Sequence, residues 1–404
     1  MLRSVAVWGP GLLVMLADTD AGNVVTAAQA GAQWGYRLLP LLVLLIPLLY
    51  MAQELTVRLG IFTGRGHGEL IREHFGPVWS WVSVAGLGVA TVGSLVTEFT
   101  AVAGIGEMFG LSRALTLPAA ALALVSIVAT GSYRRIERTA LLIGLLELAF
   151  FGVAWATHPD WHSFAADVAD LPLANHEFLY LTAALIGAVF NPWMVFYQQA
   201  AVADKGLTPA DYQAARWDTA VGAMLTQLLT AAVLVAAAAT LGASAHGSLD
   251  SVGEISNALA PLLGAQWGRV VFGAGVLGAA MVAAIVASLA LAWGVGEAMG
   301  VRRSLEYPPA QAPWFYGVYG AAVAGSAALV WGARDLVWLN IGAQVVNAFL
   351  LPLVLGLLIA LAARALPEGA KLSRPYRWLL VGAASTVCAV GWFGAMWGWI
   401  GGVK

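Results

Sequence analysis

Two aspartates, a glycine and an asparagine interrupt an apolar run in the stretch LADTDAGNVV, from Leu16 to Val25. A charged side chain at membrane depth costs about 3 kcal/mol or more, so Asp20 demands a compensating partner. An unwound helix also frees backbone carbonyls, which a cation can satisfy. Asp20 brings a full negative charge to such a site and Asn23 an amide oxygen. A second apolar run, LIGAVFNPWMVFYQQ, carries Asn191-Pro192 in its middle. Proline removes a helix hydrogen bond and clashes with the preceding turn, so a break is expected there too, with Asn191 adding a further amide oxygen. Together with backbone oxygens, Asp20, Asn23 and Asn191 make an all-oxygen cation site. That donor set suits Mg²⁺, Ca²⁺ or Mn²⁺ rather than softer metals. No Cys, His or Met occupies either break, and Met194 lies one turn beyond the second.

Other polar residues fall near these breaks. Thr26, Gln29 and Gln33 share one helical face at i, i+3 and i+7, a spacing that suits the lining of a wet pathway. Gln344 and Asn347, in LNIGAQVVNAFLLP, lie three apart on one side of a helix, as ligands or as interhelical hydrogen-bonding amides. Glu98, in VTEFTAVAG, is placed mid-span and reads either as a functional carboxyl or as a helix-packing hydrogen-bond donor. Asp18 points away from Asp20 along any residual helix, toward a vestibule or a cap. Glu147 reads as a paired structural carboxyl, and Gln53 and Glu54 as solvated or capping groups at a span end. The six histidines read as loop residues. Of these, His158, His162 and His176 share a segment with Asp160, Asp167, Asp170 and Glu177, without repeated metal-ligand spacing, so a solvated loop is expected.

The elements that must hold these residues are membrane helices. Of 404 residues, 60% are hydrophobic and 10% charged, against roughly 25% charged in soluble domains. Crossing ~30 Å of hydrocarbon takes about 20 apolar residues. Eleven such runs are centred near residues 20, 49, 91, 122, 148, 190, 230, 283, 322, 349 and 388, with short loops such as TGRGHGEL and GSYRRIER between them. Seventeen tryptophans suit interfacial anchoring and 46 glycines suit close helix packing. A cytoplasmic N-terminus puts 15 Lys and Arg inside and five, Arg37, Arg113, Arg269, Arg334 and Lys404, outside, so the positive-inside rule sets that orientation, with the C-terminus outside. The opening segment lacks a cleavage site before the polar cluster and reads as a span, not a signal peptide. Cys388 is the single cysteine, so no disulfide forms within the chain. The net charge of −2 points to no nucleic-acid partner, and nucleotide-binding and nucleophile-elbow motifs are absent. Five spans separate the starts of the two interrupted helices, an odd number, so the second unit enters from the opposite face. Paired broken helices in inverted halves point to a midplane binding site in a secondary transporter.

The stretches GPGLLVMLADTDAGN, GYRLLP, RLGIFTG and LIGAVFNP resemble the NRAMP family of divalent-metal transporters. The likeness runs through about ten spans. It implies an all-α membrane protein of eleven transmembrane helices, with a LeuT-like 5+5 inverted repeat over approximately 5–157 and 178–362 in one transporter domain, broken helices 1 and 6, and an additional helix near 376–400. It implies that Asp20 and Asn23 bind the metal, that Ala17 and Ala188 offer backbone carbonyls and that Gln344 joins the coordination. Ala21 replaces the family's usual proline. Asn191 stands where the family has a methionine, Trp193 where a histidine linked to proton movement is expected, and Leu95 where a proton-accepting aspartate belongs, while Glu98 is kept. These substitutions are similar to those of the NRAMP-related magnesium transporters.

The combined expectation is a plasma or inner-membrane importer of Mg²⁺, with Mn²⁺ also carried, acting by alternating access without proton coupling. It needs no cofactor, is not an enzyme, and has the ion and the lipid bilayer as partners, with no obligate protein partner evident. A proton-coupled Mn²⁺/Fe²⁺ importer is the alternative. A sodium-coupled organic-solute symporter is disfavoured by the negative Asp20 and an intramembrane enzyme by the residues available, while a non-transporting metal sensor would be told apart by binding without flux in reconstituted vesicles.

Overall fold

The computed structural model describes residues 7–159, 161–241, 265–305, 307–332 and 336–401. Arg3, Asp160, Arg334 and Lys404, used above, lie outside these residues. The first apolar run folds as two short helices, α1 (Pro10–Asp18) and α2 (Ala21–Trp34), separated at Thr19-Asp20. Asp20 takes an extended backbone and caps α2, its side chain accepting from the Asn23 backbone N–H, the role for which Asp is favoured at this position. The break therefore covers Thr19 and Asp20, and Asn23 already lies in the first turn of α2. It is narrower than the expected Asp20-to-Asn23 interruption, because the Asp20 cap lets the helix restart at once.

After this pair come α3 (Leu39–Thr63), α4 (His67–Phe75), α5 (Pro77–Met108), α6 (Arg113–Ala129), α7 (Tyr133–Gly144) and α8 (Ala149–Ala156). A 3₁₀ stretch, Leu145–Leu148, joins α7 to α8. A short α9 (Trp161–Ala169) precedes α10 (His176–Val189), which Asn175 caps through the Glu177 and Phe178 N–H groups. The Asn191-Pro192 break follows, with α11 (Pro192–Asp204) starting at the proline, where a missing N–H costs nothing. The remaining helices are α12 (Tyr212–Leu241), α13 (Ala265–Met299), α14 (Pro313–Trp331), α15 (Leu336–Arg364) and α16 (Arg374–Ile400).

Nine helical segments among the described residues are long and apolar enough to cross a membrane, with His176–Asp204 counted as one of them. The split α1–α2 and the 17-residue α6 match the other two expected runs and fall short of that length. Two stretches expected as loops are helical instead. The sequence TGRGHGEL feeds α4, which turns His67, Leu70 and Ile71 inward, and Tyr133 to Arg138 form the first turns of α7. Gly and charged residues signalled turns in both, yet each has an apolar face to bury.

The half-helices pack in matched pairs, α1 against α11 and α2 against α10. Around them, α12 packs on α1 and α2, α5 on α13, and α15 on α10. The outer faces carry exposed apolar side chains such as Leu44, Trp155, Trp217 and Leu228, as a lipid-facing surface requires.

Candidate metal centre

The two helix breaks meet in the interior. Asp20, Asn23, Thr26, Gln29, Glu98, Asn191, Trp193, Gln344 and Asn347 are all buried, as are Ala17 and Ala188. The Asn23 Nδ2 donates to the Asp18 carbonyl at 2.9 Å, so the amide of α2 ties down the end of α1. One oxygen of Asp20, Oδ1, accepts from the Asn23 N–H at 2.7 Å. Its Oδ2 and the Asn23 Oδ1 are buried with no hydrogen-bond partner among the described residues.

On the second break, Asn191 Nδ2 donates to the Ala188 carbonyl at 2.8 Å. Asn347 Nδ2 reaches Asn191 Oδ1 at 2.5 Å and Gln344 Oε1 at 3.0 Å. An amide chain thus runs from the second break onto α15, leaving Asn347 Oδ1 and Gln344 Nε2 unpaired in the interior. Gln344 in turn reaches the first break, since a Cβ on Gly22 would fall 1.9 Å from its Nε2 and 3.3 Å from Asp20 Oδ1. Only glycine leaves room for that approach. Gly187 plays the same part for the backbone: a Cβ there would stand 1.8 Å from the Gln344 carbonyl oxygen. Neither glycine carries a signal in the sequence that separates it from the chain's many others.

Glu98 is committed to the fold of the break. Its Oε2 accepts from the Ala21 N–H at 3.1 Å and its Oε1 from Thr97 Oγ1 at 3.2 Å. It therefore supplements Asp20 in satisfying the first turn of α2, whose N–H groups have no intrahelical acceptors. Thr26 Oγ1 is spent on the Gly22 carbonyl at 2.7 Å, and Gln33, the third residue on that face, is half-buried. The Trp193 indole is fully buried, with Nε1 unpaired, and Leu95 is fully buried in α5.

Four expectations need correction. Asp18 meets neither a vestibule nor a cap: it is buried, interacts with Asn191, and takes a 3.4 Å hydrogen bond from Thr226 of α12. Glu147 has no ion-pair partner among the described residues; it sits in the 3₁₀ stretch with the Thr19 side chain as its polar neighbour, too loosely placed for a well-formed hydrogen bond. Gln53 and Glu54 are buried, not solvated, because Arg58 and the Tyr212 hydroxyl close over Glu54 and α11 covers Gln53. His67 lies in a helix with its ring buried and its Nδ1 3.0 Å from Gln199 Oε1, an acceptor whose amide nitrogen is spent on the Arg65 carbonyl. Burial without a counter-charge pushes its pKa down to about 4, so the ring is neutral and Nδ1 donates to Gln199.

No group of three or more His, Cys, Asp or Glu is arranged to hold a metal among the described residues. Asp167, in the segment shared with the loop histidines, is engaged otherwise: it pairs with Arg37 at 3.0 Å and accepts from the Tyr36 N–H at 2.8 Å. The side chain of His162 lies outside the described residues. What the two breaks offer is a different donor set, one carboxylate with amide and carbonyl oxygens, in keeping with hard cations.

A "Divalent metal cation transporter MntH" of Burkholderia ambifaria is 28% identical over 399 residues, covering 95% of this chain and 86% of the relative. In fold, the chain is similar to a manganese transporter of Eremococcus coleocola, with a TM-score of 0.76 and 18% identity, covering 97% of this chain and 86% of that one. It is similar also to MhsT, solved with L-phenylalanine, at a TM-score of 0.58 and 13% identity, covering 95% and 98%. The family model described as natural resistance-associated macrophage protein-like matches residues 11–394, nearly the whole span that carries the two breaks and their partners, and the chain therefore belongs to the Nramp family.

Proposed function

We propose that the protein is a secondary transporter that imports divalent metal cations, Mg²⁺ by preference with Mn²⁺ also carried, by alternating access and without proton coupling. One observation carries the reading: Asp20 Oδ2, Asn23 Oδ1 and Asn347 Oδ1 are buried oxygen acceptors without a donor, around the meeting point of two broken helices. Leaving such a group unsatisfied costs about 1–3 kcal/mol, and more when it is charged. A hard cation as cargo removes that cost. Asp20, Asn23, Asn191, Gln344 and the carbonyls of Ala17 and Ala188 are the proposed ligands. Thr26, Gln29, Glu98, Trp193 and Asn347 line the route or hold the ligands in place.

The cargo class is supported by the relatives, which are named as divalent metal cation and manganese transporters. The preference for Mg²⁺ rests on Asn191, an oxygen donor, and on the absence of sulfur or imidazole from both breaks. An oxygen donor at that position supports a reading within the magnesium-transporting branch of the family. The absence of coupling rests on Leu95 and Trp193, which cannot exchange protons at physiological pH, and on Glu98, whose oxygens are both engaged by donors. In the proposed topology the chain crosses a plasma or inner membrane eleven times, α1–α2 counting as one crossing and α6 as another. Two inverted repeats, approximately 5–157 and 178–362, precede a further helix near 376–400, with the N-terminus cytoplasmic and the C-terminus outside.

Uptake into proteoliposomes, followed with an indicator for Mg²⁺ or Mn²⁺ together with a lumenal pH dye, tests both halves of the reading. Uptake with no change in lumenal pH is expected. A proton signal stoichiometric with metal would replace the reading by a proton-coupled Mn²⁺/Fe²⁺ importer, as would Fe²⁺ flux indifferent to excess Mg²⁺.

A further inference from the structure

Away from the helix breaks, α3 and α12 enclose a cavity of about 260 Å³ lined by Tyr50, Gln213, Arg216, Trp217 and Ala220. Its charge is not balanced. Glu54, which lies behind the lining, is the carboxylate that pairs with Arg216, and Glu54 Oε1 already accepts from Arg58 Nη2 at 2.8 Å and Nε at 3.0 Å, and from the Tyr212 hydroxyl. Arg216 Nε stands 3.9 Å from that same oxygen, while Glu54 Oε2 receives no hydrogen bond at all. Two guanidiniums thus share one buried carboxylate. Arg216, with a side chain 37% exposed, is the one that opens on the cavity. Its Nη2 and Nε donate to the Tyr50 hydroxyl oxygen at 3.2 and 3.3 Å, so the Tyr50 hydroxyl proton is not spent on Arg216.

The surroundings identify what the excess charge meets. Trp217, Val221, Met224 and Leu228 are exposed at i, i+4, i+7 and i+11 along α12, and Val43 and Leu44 are exposed on α3. In a membrane protein that stripe faces acyl chains. The cavity lies where the stripe ends, at the first turns of α12, with Trp217 as an aromatic ring at the boundary. A basic pocket between membrane helices next to an apolar face suits an anionic lipid head group.

We infer that this cavity binds the phosphate of an anionic phospholipid, with Arg216 supplying the charge, Tyr50 and Gln213 the neutral donors, and the α12 stripe the surface for one acyl chain. The lipid bridges α3 and α12 through Tyr50 and Arg216, so its presence holds the two helices together at that end. The inference does not depend on which ion the protein carries.

Native mass spectrometry and thermal unfolding of the purified full chain, with phosphatidylglycerol, phosphatidylcholine or soluble glycerol phosphate added, test it. Phosphatidylglycerol is expected to remain bound and to raise the melting temperature more than phosphatidylcholine does, and glycerol phosphate to do neither. Arg216→Ala removes the cation, and Gln213→Glu sets a carboxylate in the cavity without touching the Glu54 cluster. Each is expected to weaken phosphatidylglycerol binding about fivefold or more. Should Arg216→Ala fail to fold, Gln213→Glu, at an exposed position, decides alone. Equal binding of the two lipids, or either variant binding phosphatidylglycerol as the parent chain does, overturns the site. Stabilisation by glycerol phosphate equal to that by the lipid would assign the cavity to a free phosphate anion and overturn the lipid.

Discussion

Replacing Asp20 by Asn separates its charge from its structural role. The cap on α2 survives, because Asn accepts from an N–H as well as Asp does at such a position, and the 2.7 Å bond to the Asn23 N–H keeps its geometry. Only the charge is lost. Without ion, the parent chain carries a buried carboxylate with one oxygen unpaired, which costs on the order of 3 kcal/mol at membrane depth. Asp20→Asn is therefore expected to be the more stable protein in metal-free buffer, by up to about that amount. Adding Mg²⁺ or Mn²⁺ at a hundred times its Kd stabilises the parent by about 2.7 kcal/mol through mass action. The variant, lacking the charge that draws the ion, gains little. The order of stability should thus close or invert as metal is added. Thermal unfolding of both proteins across a metal titration measures this, with calorimetric binding alongside. A variant less stable than the parent without metal, or one that keeps the metal-dependent shift, would refute the argument that the cargo neutralises Asp20.

Three further outcomes are expected. Asn191→Met puts sulfur at the second break and should raise the success of Cd²⁺ against Mg²⁺ in competitive uptake; an unchanged ranking would remove the basis given for the ion preference. Gly187→Ala leaves every proposed ligand in place but sets a methyl 1.8 Å from the Gln344 carbonyl oxygen. The helices must part at a cost of about 1–3 kcal/mol, and metal affinity measured by calorimetry should fall as the 2.5 Å Asn347–Asn191 bond is lost. His67 is held neutral by burial, its pKa lowered from 6.5 to about 4. The unfolded chain therefore binds the proton more readily between those values, so stability is complete above pH 6.5 and falls by up to about 3 kcal/mol as pH drops toward 4. His67→Gln should flatten that slope in unfolding measurements, and an unaltered slope would show that other groups cause it.

Local signals and distant partners explain what could be read from the chain. Asn191-Pro192 was legible because a mid-run proline removes a helix hydrogen bond and here stands next to a polar amide; proline alone does not decide it, since Pro47, Pro118 and Pro352 lie inside continuous helices. The first break was legible from its polar residues, though its width was not, since the cap that restarts α2 depends on a rotamer and on Glu98 from α5, 77 residues away. Glu54 looked like a span-end residue because the Tyr212 that covers it lies 158 positions along. His67 looked like a loop residue among glycines because Gln199, its partner, sits on α11. Gly22 and Gly187 matter only through the side chain and backbone of α15 that come to rest against them. In each case the missing information is a contact between helices remote in the chain.

The pairing of α1 with α11 and of α2 with α10 has a mechanical corollary. Each pair is a brace, and the chain passes from one brace to the other through a short non-helical joint at Thr19-Asp20 and Phe190-Asn191. Under the proposed alternating access, one brace swings while the other stays latched, and a route opens to one compartment without leaking to the second. Because the joint is also where unpaired oxygens gather, whatever fills it stiffens the pivot, and cargo and gate are read by the same few atoms.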